Sequence, residues 1–113
     1  MSAGIYNIKA DQGSTFVFSF TITTDNVPWN LSGYAARMQV RASTQSTSTI
    51  LNLVSPTDIT LTSAGVVTIT ANATTMAAVA SGSFVYDIEI QSNGGIVTRL
   101  LQGKFIVTPE VTR

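Results

Sequence analysis

The chain has 113 residues, of which 44% are hydrophobic and only 11% charged, and its six Lys and Arg balance its six Asp and Glu. This length suits one domain over residues 1–113, because it supplies a single two-layer core and not two independent ones. The cations are scattered along the sequence, which argues against nucleic acid or a membrane surface as partner, and the absence of Cys and His excludes disulfides, thiolate metal sites and a histidine-dependent triad.

The N-terminal part of the chain contains two predicted strands. Residues 1–10 are interpreted as either an N-terminal arm or an edge strand, and the turn Asp11-Gln12-Gly13 follows them. Over residues 15–24 apolar and small polar residues alternate, so one face of this strand is predicted to lie in the core; its aromatic members are Phe16, Phe18 and Phe20. Asp25–Pro28 ends the strand, since proline cannot donate a ladder hydrogen bond.

A third strand is predicted from Tyr34 to Arg41. Its outer face presents Arg37, Gln39 and Arg41, which form either a ladder that binds an acidic partner or an ordinary solvated strand face. Residues 42–49 are almost entirely Ser, Thr and Gln and are predicted to be a flexible loop.

Short strands are predicted at residues 50–54, 59–62 and 66–71, where apolar residues alternate with Thr, Asn or Ser. Residues 72–80 are the only helical candidate. Asn72 or Thr74 is its predicted N-cap, with Met76, Val79 and Ala80 on a common face.

The segment 83–108 is predicted to form a β-hairpin around the turn Asn93-Gly94-Gly95, because Asn and Gly accept positive φ angles. The returning strand changes the phase of its alternation, which predicts a β-bulge near Leu100 and Leu101. A three-residue loop sets Glu89 opposite Arg99 on the outer face, as an exposed pair, whereas a two-residue loop sets Ile88 opposite Arg99; the three-residue loop is preferred because it keeps the charge out of the core.

These elements predict an all-β fold, an antiparallel immunoglobulin-like β-sandwich of about seven strands with one short helical turn. The predicted core residues are the aromatic and aliphatic side chains that share the inward phase of their strands: Phe16, Phe18, Phe20, Tyr34, Met38, Ile69, Phe84, Tyr86, Ile88 and Phe105.

No catalytic residue, cofactor site or required metal is predicted, and no apolar run reaches the length of a membrane span. Asp87 and Glu89 share one strand face and are the best candidates for a hard cation, but no acidic loop accompanies them. The candidate partner contacts are the accessible aromatic residues and the arginines of the third strand: Tyr6, Trp29, Arg37 and Arg41. Trp29 and Tyr34 either stack on sugar rings or cap the end of the sandwich.

Three segments in this order, Gln12–Phe16, Leu31–Arg41, and Gly82–Ile90 with Arg99–Gly103, resemble the small immunoglobulin-like β-sandwich proteins of tailed bacteriophages, which are related to the N-terminal domain of baseplate upper proteins. The resemblance covers nearly the whole chain. It implies a non-enzymatic virion component made in the host cytoplasm, an adaptor subunit of the tail or baseplate that docks other virion proteins in several copies. The alternatives are a capsid decoration (cement) protein of the same fold and a carbohydrate-binding module for host attachment.

The low charge also predicts docking at strand edges. Edge strands usually carry protecting charges, yet the candidate edges Ile50–Val54 and Ile5–Ala10 have only Lys9 between them. We therefore expect neighbouring copies or proteins to cover these edges, with the N-terminal segment or the tail Pro109–Arg113 reaching a neighbour.

Overall fold

The computed structural model describes residues 4–111, and alternating apolar residues build almost all of its regular structure as strands. In chain order the elements are β1 (Gly4–Ile5), β2 (Ile8–Asp11), β3 (Phe16–Thr21), β4 (Thr23–Thr24), β5 (Val27–Pro28), β6 (Ala35–Arg41), β7 (Leu51–Val54), β8 (Ile59–Leu61), β9 (Val66–Ala71), α1 (Ala73–Ala77), β10 (Gly82–Gln91) and β11 (Val97–Thr108). Within this part of the chain eleven strands are found where about seven were predicted, and β1, β4 and β5 have only two residues each.

The strands form a β-sandwich of immunoglobulin-like topology, as predicted. The larger sheet has the order β1–β11–β10–β6–β7, with β2 also paired to β11, and the smaller sheet has the order β3–β9–β8. The strands are not all antiparallel, because β1 and β2 run parallel to β11. These neighbours are the first strands and the last strand, so no hairpin turn joins them and imposes an antiparallel direction.

The predicted hairpin is confirmed in its loop and in its register. Ser92 N donates to Ile96 O at 2.9 Å, which leaves a three-residue loop between them. Glu89 lies opposite Arg99 and Ile88 lies opposite Leu101, so Leu100 is the extra residue of a β-bulge where the phase change predicted one.

The core lies between the two sheets and contains six of the ten predicted residues: Phe16, Met38, Ile69, Tyr86, Ile88 and Phe105. The prediction was wrong in placing the other four fully inside, because Phe18, Phe20, Tyr34 and Phe84 are only half-buried and pack against the core from its margins. For Phe18 and Phe20 the reason is the position of β3, which is an edge strand of the smaller sheet.

The helix α1 is capped by Asn72, whose Oδ1 accepts a hydrogen bond from Thr75 N at 2.8 Å. Met76 and Val79 are buried as predicted, whereas Ala80 is exposed, so the predicted helical face was wrong at that residue. The helix ends before residue 80, and Ala80 therefore does not continue its apolar face. Across residues 4–111 no helix is long and apolar enough to cross a membrane.

Residues 4–11 contain β1 and β2, which lie beside β11 at one edge of the larger sheet. Tyr6 N donates to Gln102 O at 2.9 Å, and the Tyr86 hydroxyl donates to Tyr6 O at 2.5 Å. Asn7 Oδ1 accepts from Lys104 N at 3.1 Å. These hydrogen bonds attach residues 4–11 to β10 and β11 of the same chain. Residues 1–3 of the predicted arm and residues 112–113 of the predicted tail lie outside the described residues.

Candidate docking surface

Five of the six cationic side chains lie on one surface of the molecule, the outer face of the larger sheet. We call this surface the cationic face and define it by Lys9, Arg37, Arg41, Arg99 and Lys104; the sixth cation, Arg113, lies outside the described residues. In the sequence these cations are scattered, whereas the fold gathers them; that nucleic acid and membranes are not partners stays a prediction. Each cation occupies an outward position of its strand, so the pleat and the cross-strand register gather them on one face.

The cationic face carries an excess of positive charge in a chain that is neutral overall. Three carboxylates, Asp11, Asp87 and Glu89, occupy outward positions among the five cations, which leaves an excess of two positive charges. Elsewhere on residues 4–111 the charged side chains are all acidic: Asp25, Asp58 and Glu110. The net charge of the whole chain is zero, but the fold places an excess of positive charge on one face and negative charge elsewhere.

The ion pairs on this face differ from the predicted Glu89–Arg99 pair. Glu89 lies between Arg99 and Arg37 in the register, but Arg37 alone contacts it, with both Nε and NH2 at 2.9 Å from Oε1. Arg99 instead reaches diagonally, with Nε 3.3 Å from Asp87 Oδ2. Because the four side chains are partly exposed, each pair stabilises the fold by about 1 kcal/mol or less.

Arg41 is held in place by the loop that follows it. Its NH1 donates to Ser46 O and its NH2 donates to Gln39 Oε1, both at 2.9 Å. The segment 42–49 contains no strand or helix, as predicted for a loop, and a bond of 3.1 Å from Ser46 N to Ser43 O folds it into a turn beside Arg41. The loop thus fixes the guanidinium at the margin of the cationic face.

A groove of about 540 Å³ crosses the cationic face between Arg41 and Arg99. Its volume lies in the range of small-ligand sites. Asp87 and Val85 come from the strand between the two arginines, and the other lining side chains include Gln39, Gln102 and the 79%-exposed Ile5. The groove therefore offers guanidinium donors at two sides, amide groups between them and an apolar margin.

The pKa of Asp87 is raised, first by partial burial and then by the neighbouring carboxylate of Glu89, while Arg99, Arg37 and Arg41 oppose the rise. Burial removes water that would stabilise the charged form, and the half-exposed arginines only partly replace it. The pKa of Tyr86 is likewise raised to about 12 by burial and by Tyr6, so its hydroxyl stays protonated and donates to Tyr6 O.

The raised pKa of Asp87 predicts the sign of a pH effect. Between the ordinary value of 3.8 and the raised value, the folded protein binds more protons than the unfolded chain, so this group lowers stability as pH rises through that window. Asp87→Asn removes the effect. We expect the free energy of unfolding of this variant, measured by urea denaturation, to rise relative to that of the wild type between pH 3.5 and 7, by less than about 1 kcal/mol. A variant whose free energy of unfolding falls relative to that of the wild type over this range would contradict the assignment.

The structure brings Arg37 and Arg41 together on the cationic face, but it places the two aromatic candidates elsewhere. Tyr6 is 52% exposed and stacks on Phe18, with ring centroids 5.5 Å apart. Trp29 is half-buried against the core, and its Nε1 donates to Thr24 Oγ1 at 2.7 Å. The four candidates therefore do not form one site.

Arg99 and Lys104 belong to the site and were missed as contacts in the sequence. The signal for them was present, because a bulge at Leu100 puts both residues on the outward phase of β11. Among residues 4–111, no three Asp or Glu side chains lie close enough together to hold a metal ion.

No protein-family model and no curated protein matches the chain. Among solved structures it is similar to CopC from Methylosinus trichosporium OB3b, with a TM-score of 0.46 and 14% identity, over 99% of this chain and 90% of CopC. We draw nothing about function from a likeness at this level.

Proposed function

We propose that this chain is a non-enzymatic structural subunit of a tailed bacteriophage particle, an adaptor in the tail or baseplate region that docks other virion proteins. The resemblance of its three segments to small phage β-sandwich proteins suggested this role. The observation that carries the proposal is the set of open strand edges, of which β3 and β7 contain no charged residue, and such edges suit a protein whose edges are covered in an assembly.

Two of these edges are those predicted from the sequence, since β7 lies at one end of the larger sheet and β1 and β2 lie at the other. A third was not expected. The sequence predicts β3 as a core strand, yet within residues 4–111 its one strand partner is β9, so β3 is an edge of the smaller sheet, as β8 is on the other side.

β3 has none of the usual protection of an edge strand. Its six residues, Phe-Val-Phe-Ser-Phe-Thr, include no charge, proline or glycine, and Val17 on its outer side is 61% exposed. An edge of this length and composition readily pairs with another strand. We therefore assign β3 as the principal contact edge, with β7 as a second.

A charge placed on this edge tests the assignment. Val17→Lys is expected to leave the fold intact, because the side chain points outward, and to lower incorporation into phage particles at least tenfold, because an edge lysine opposes strand pairing. Thr70→Lys is the matched control: Thr70 lies opposite Val17 on the same face, but on the central strand β9. Incorporation is measured by quantitative mass spectrometry of purified particles, with thermal melting as the check on folding.

Equal incorporation of Val17→Lys and wild type would remove β3 from the contact. Wild-type chain that is absent from purified particles would overturn the proposed function itself. A capsid decoration protein would use the same edges and differs only in its position, which immunogold labelling of tails and capsids separates.

The carbohydrate-binding alternative has less support from the geometry. A sugar platform needs an open aromatic face, whereas Trp29 and Tyr34 are both packed against the core. The Trp29 indole also has its Nε1 bonded to Thr24.

A further inference from the structure

We infer that the cationic face binds an acidic segment of a partner protein, and that carboxylates of this segment lie in the groove between Arg41 and Arg99. The inference rests on the proposed docking role and deepens it by naming the chemistry of the partner. It assigns a second contact, separate from the edge of β3.

The charge distribution selects an anionic partner. The cationic face has an excess of two positive charges. Outside it, the charged side chains of residues 4–111 are the three acids Asp25, Asp58 and Glu110. Groups of like charge on one low-dielectric surface raise the local potential, which attracts a complementary partner and orients its approach. A neutral chain that separates its charges in this way presents one surface that attracts an anionic partner.

The groove has donors ready for carboxylates. A guanidinium has five N–H donors; Arg41 donates two of them, to Ser46 O and Gln39 Oε1, and Arg99 donates one, to Gln102 Oε1, while its Nε forms an ion pair with Asp87. Each arginine therefore keeps at least three N–H groups for a ligand while its existing contacts hold it in position. Pre-organisation of this kind reduces the entropy lost on binding.

The same face disfavours two other occupants. Two copies that met through this face would each bring an excess of two positive charges, so they would repel each other. A nucleic acid presents an unbroken row of phosphates, and such a row would meet Asp87 and Glu89 at the centre of the face. A protein segment can space its carboxylates to avoid these acids and can set an apolar side chain against the exposed Ile5.

The test uses the full chain and a fluorescent peptide of ten alternating Glu and Ala residues, titrated by fluorescence anisotropy at low salt. We expect binding by the wild type that weakens as salt is raised. Arg41→Gln combined with Arg99→Gln should weaken binding at least tenfold. The control, Thr60→Glu with Thr70→Glu, changes the net charge by the same amount on exposed positions of the opposite sheet and should stay within twofold of wild type.

Three results of the titration would overturn the inference: no binding by the wild type, an equal loss in the control, or tighter binding of a DNA oligonucleotide of the same charge, which would assign the face to nucleic acid. Particle incorporation distinguishes this failure from failure of the proposed function. If the arginine variant loses peptide binding and still enters particles at the wild-type level, the acidic-partner contact is wrong and the docking role stands. Wild-type chain missing from particles contradicts the docking role alone.

Discussion

Replacing Phe105 with Ala is expected to lower the free energy of unfolding by about 3–5 kcal/mol, a large share of the total stability of a domain of this size. Phe105 is fully buried. Its ring meets Phe16 edge-on at a centroid distance of 5.5 Å and Tyr86 at 6.4 Å, and it thereby joins β11 of the larger sheet to β3 of the smaller one. Truncation leaves a cavity between the sheets that neither neighbour can fill without moving its backbone.

Phe18→Ala is the matched control for this substitution. The same side chain is removed, but Phe18 is half-buried at the margin of the core and contacts Tyr6 and Phe20. Its expected loss is about 1–2 kcal/mol, because less apolar surface leaves water there on folding. Urea denaturation of both variants measures the difference. Equal losses would contradict the assignment of the core to the region around Phe105.

Gly103→Ala is expected to lower the free energy of unfolding by about 3 kcal/mol, through backbone strain and loss of the contacts of the N-terminal strands. The φ angle of Gly103 is 156°, and a Cβ at this position would collide with the backbone carbonyl of Tyr6. The collision pushes Tyr6 away from Gln102 and from the Tyr86 hydroxyl, which are its hydrogen-bond partners.

The control for this second substitution is Gly94→Ala in the hairpin loop. A Cβ there meets only Ser92 Oγ, at 3.8 Å, so the expected change is within about 0.5 kcal/mol. Hydrogen exchange should show that residues 4–11 lose protection in Gly103→Ala and keep it in Gly94→Ala. If residues 4–11 stay protected in Gly103→Ala, β1 and β2 are not held by this close approach.

The hairpin shows why local features of this fold were predictable. The alternation of β10, the Asn-Gly-Gly turn and the phase change at Leu100 all lie within one continuous segment of the sequence. Together they determine the register of β10 with β11, because side chains alternate between the two faces of a strand. The N-cap Asn72 was predictable for the same reason, since a cap is recognised from its neighbours along the chain.

Several of the misses have a common physical cause, because they concern which strands are neighbours in space. The alternation of β3 predicts an apolar face, but nothing in that segment says that only β9 pairs with it. Similarly, the approach of Arg37 to Glu89 depends on the order β11–β10–β6, and the gathering of Lys9, Arg99 and Lys104 depends on β2 and β11 sharing one sheet. Non-local pairing of this kind cannot be derived from the periodicity of a single strand.

If this sandwich is a docking subunit of a phage particle, cryo-electron microscopy of purified particles should show it in place. We expect density for the sandwich in the tail or baseplate, with β3 against a strand of a neighbour and acidic side chains over the groove between Arg41 and Arg99. Particles that lack this density, or that hold the chain with both β3 and the cationic face open to solvent, would contradict this expectation.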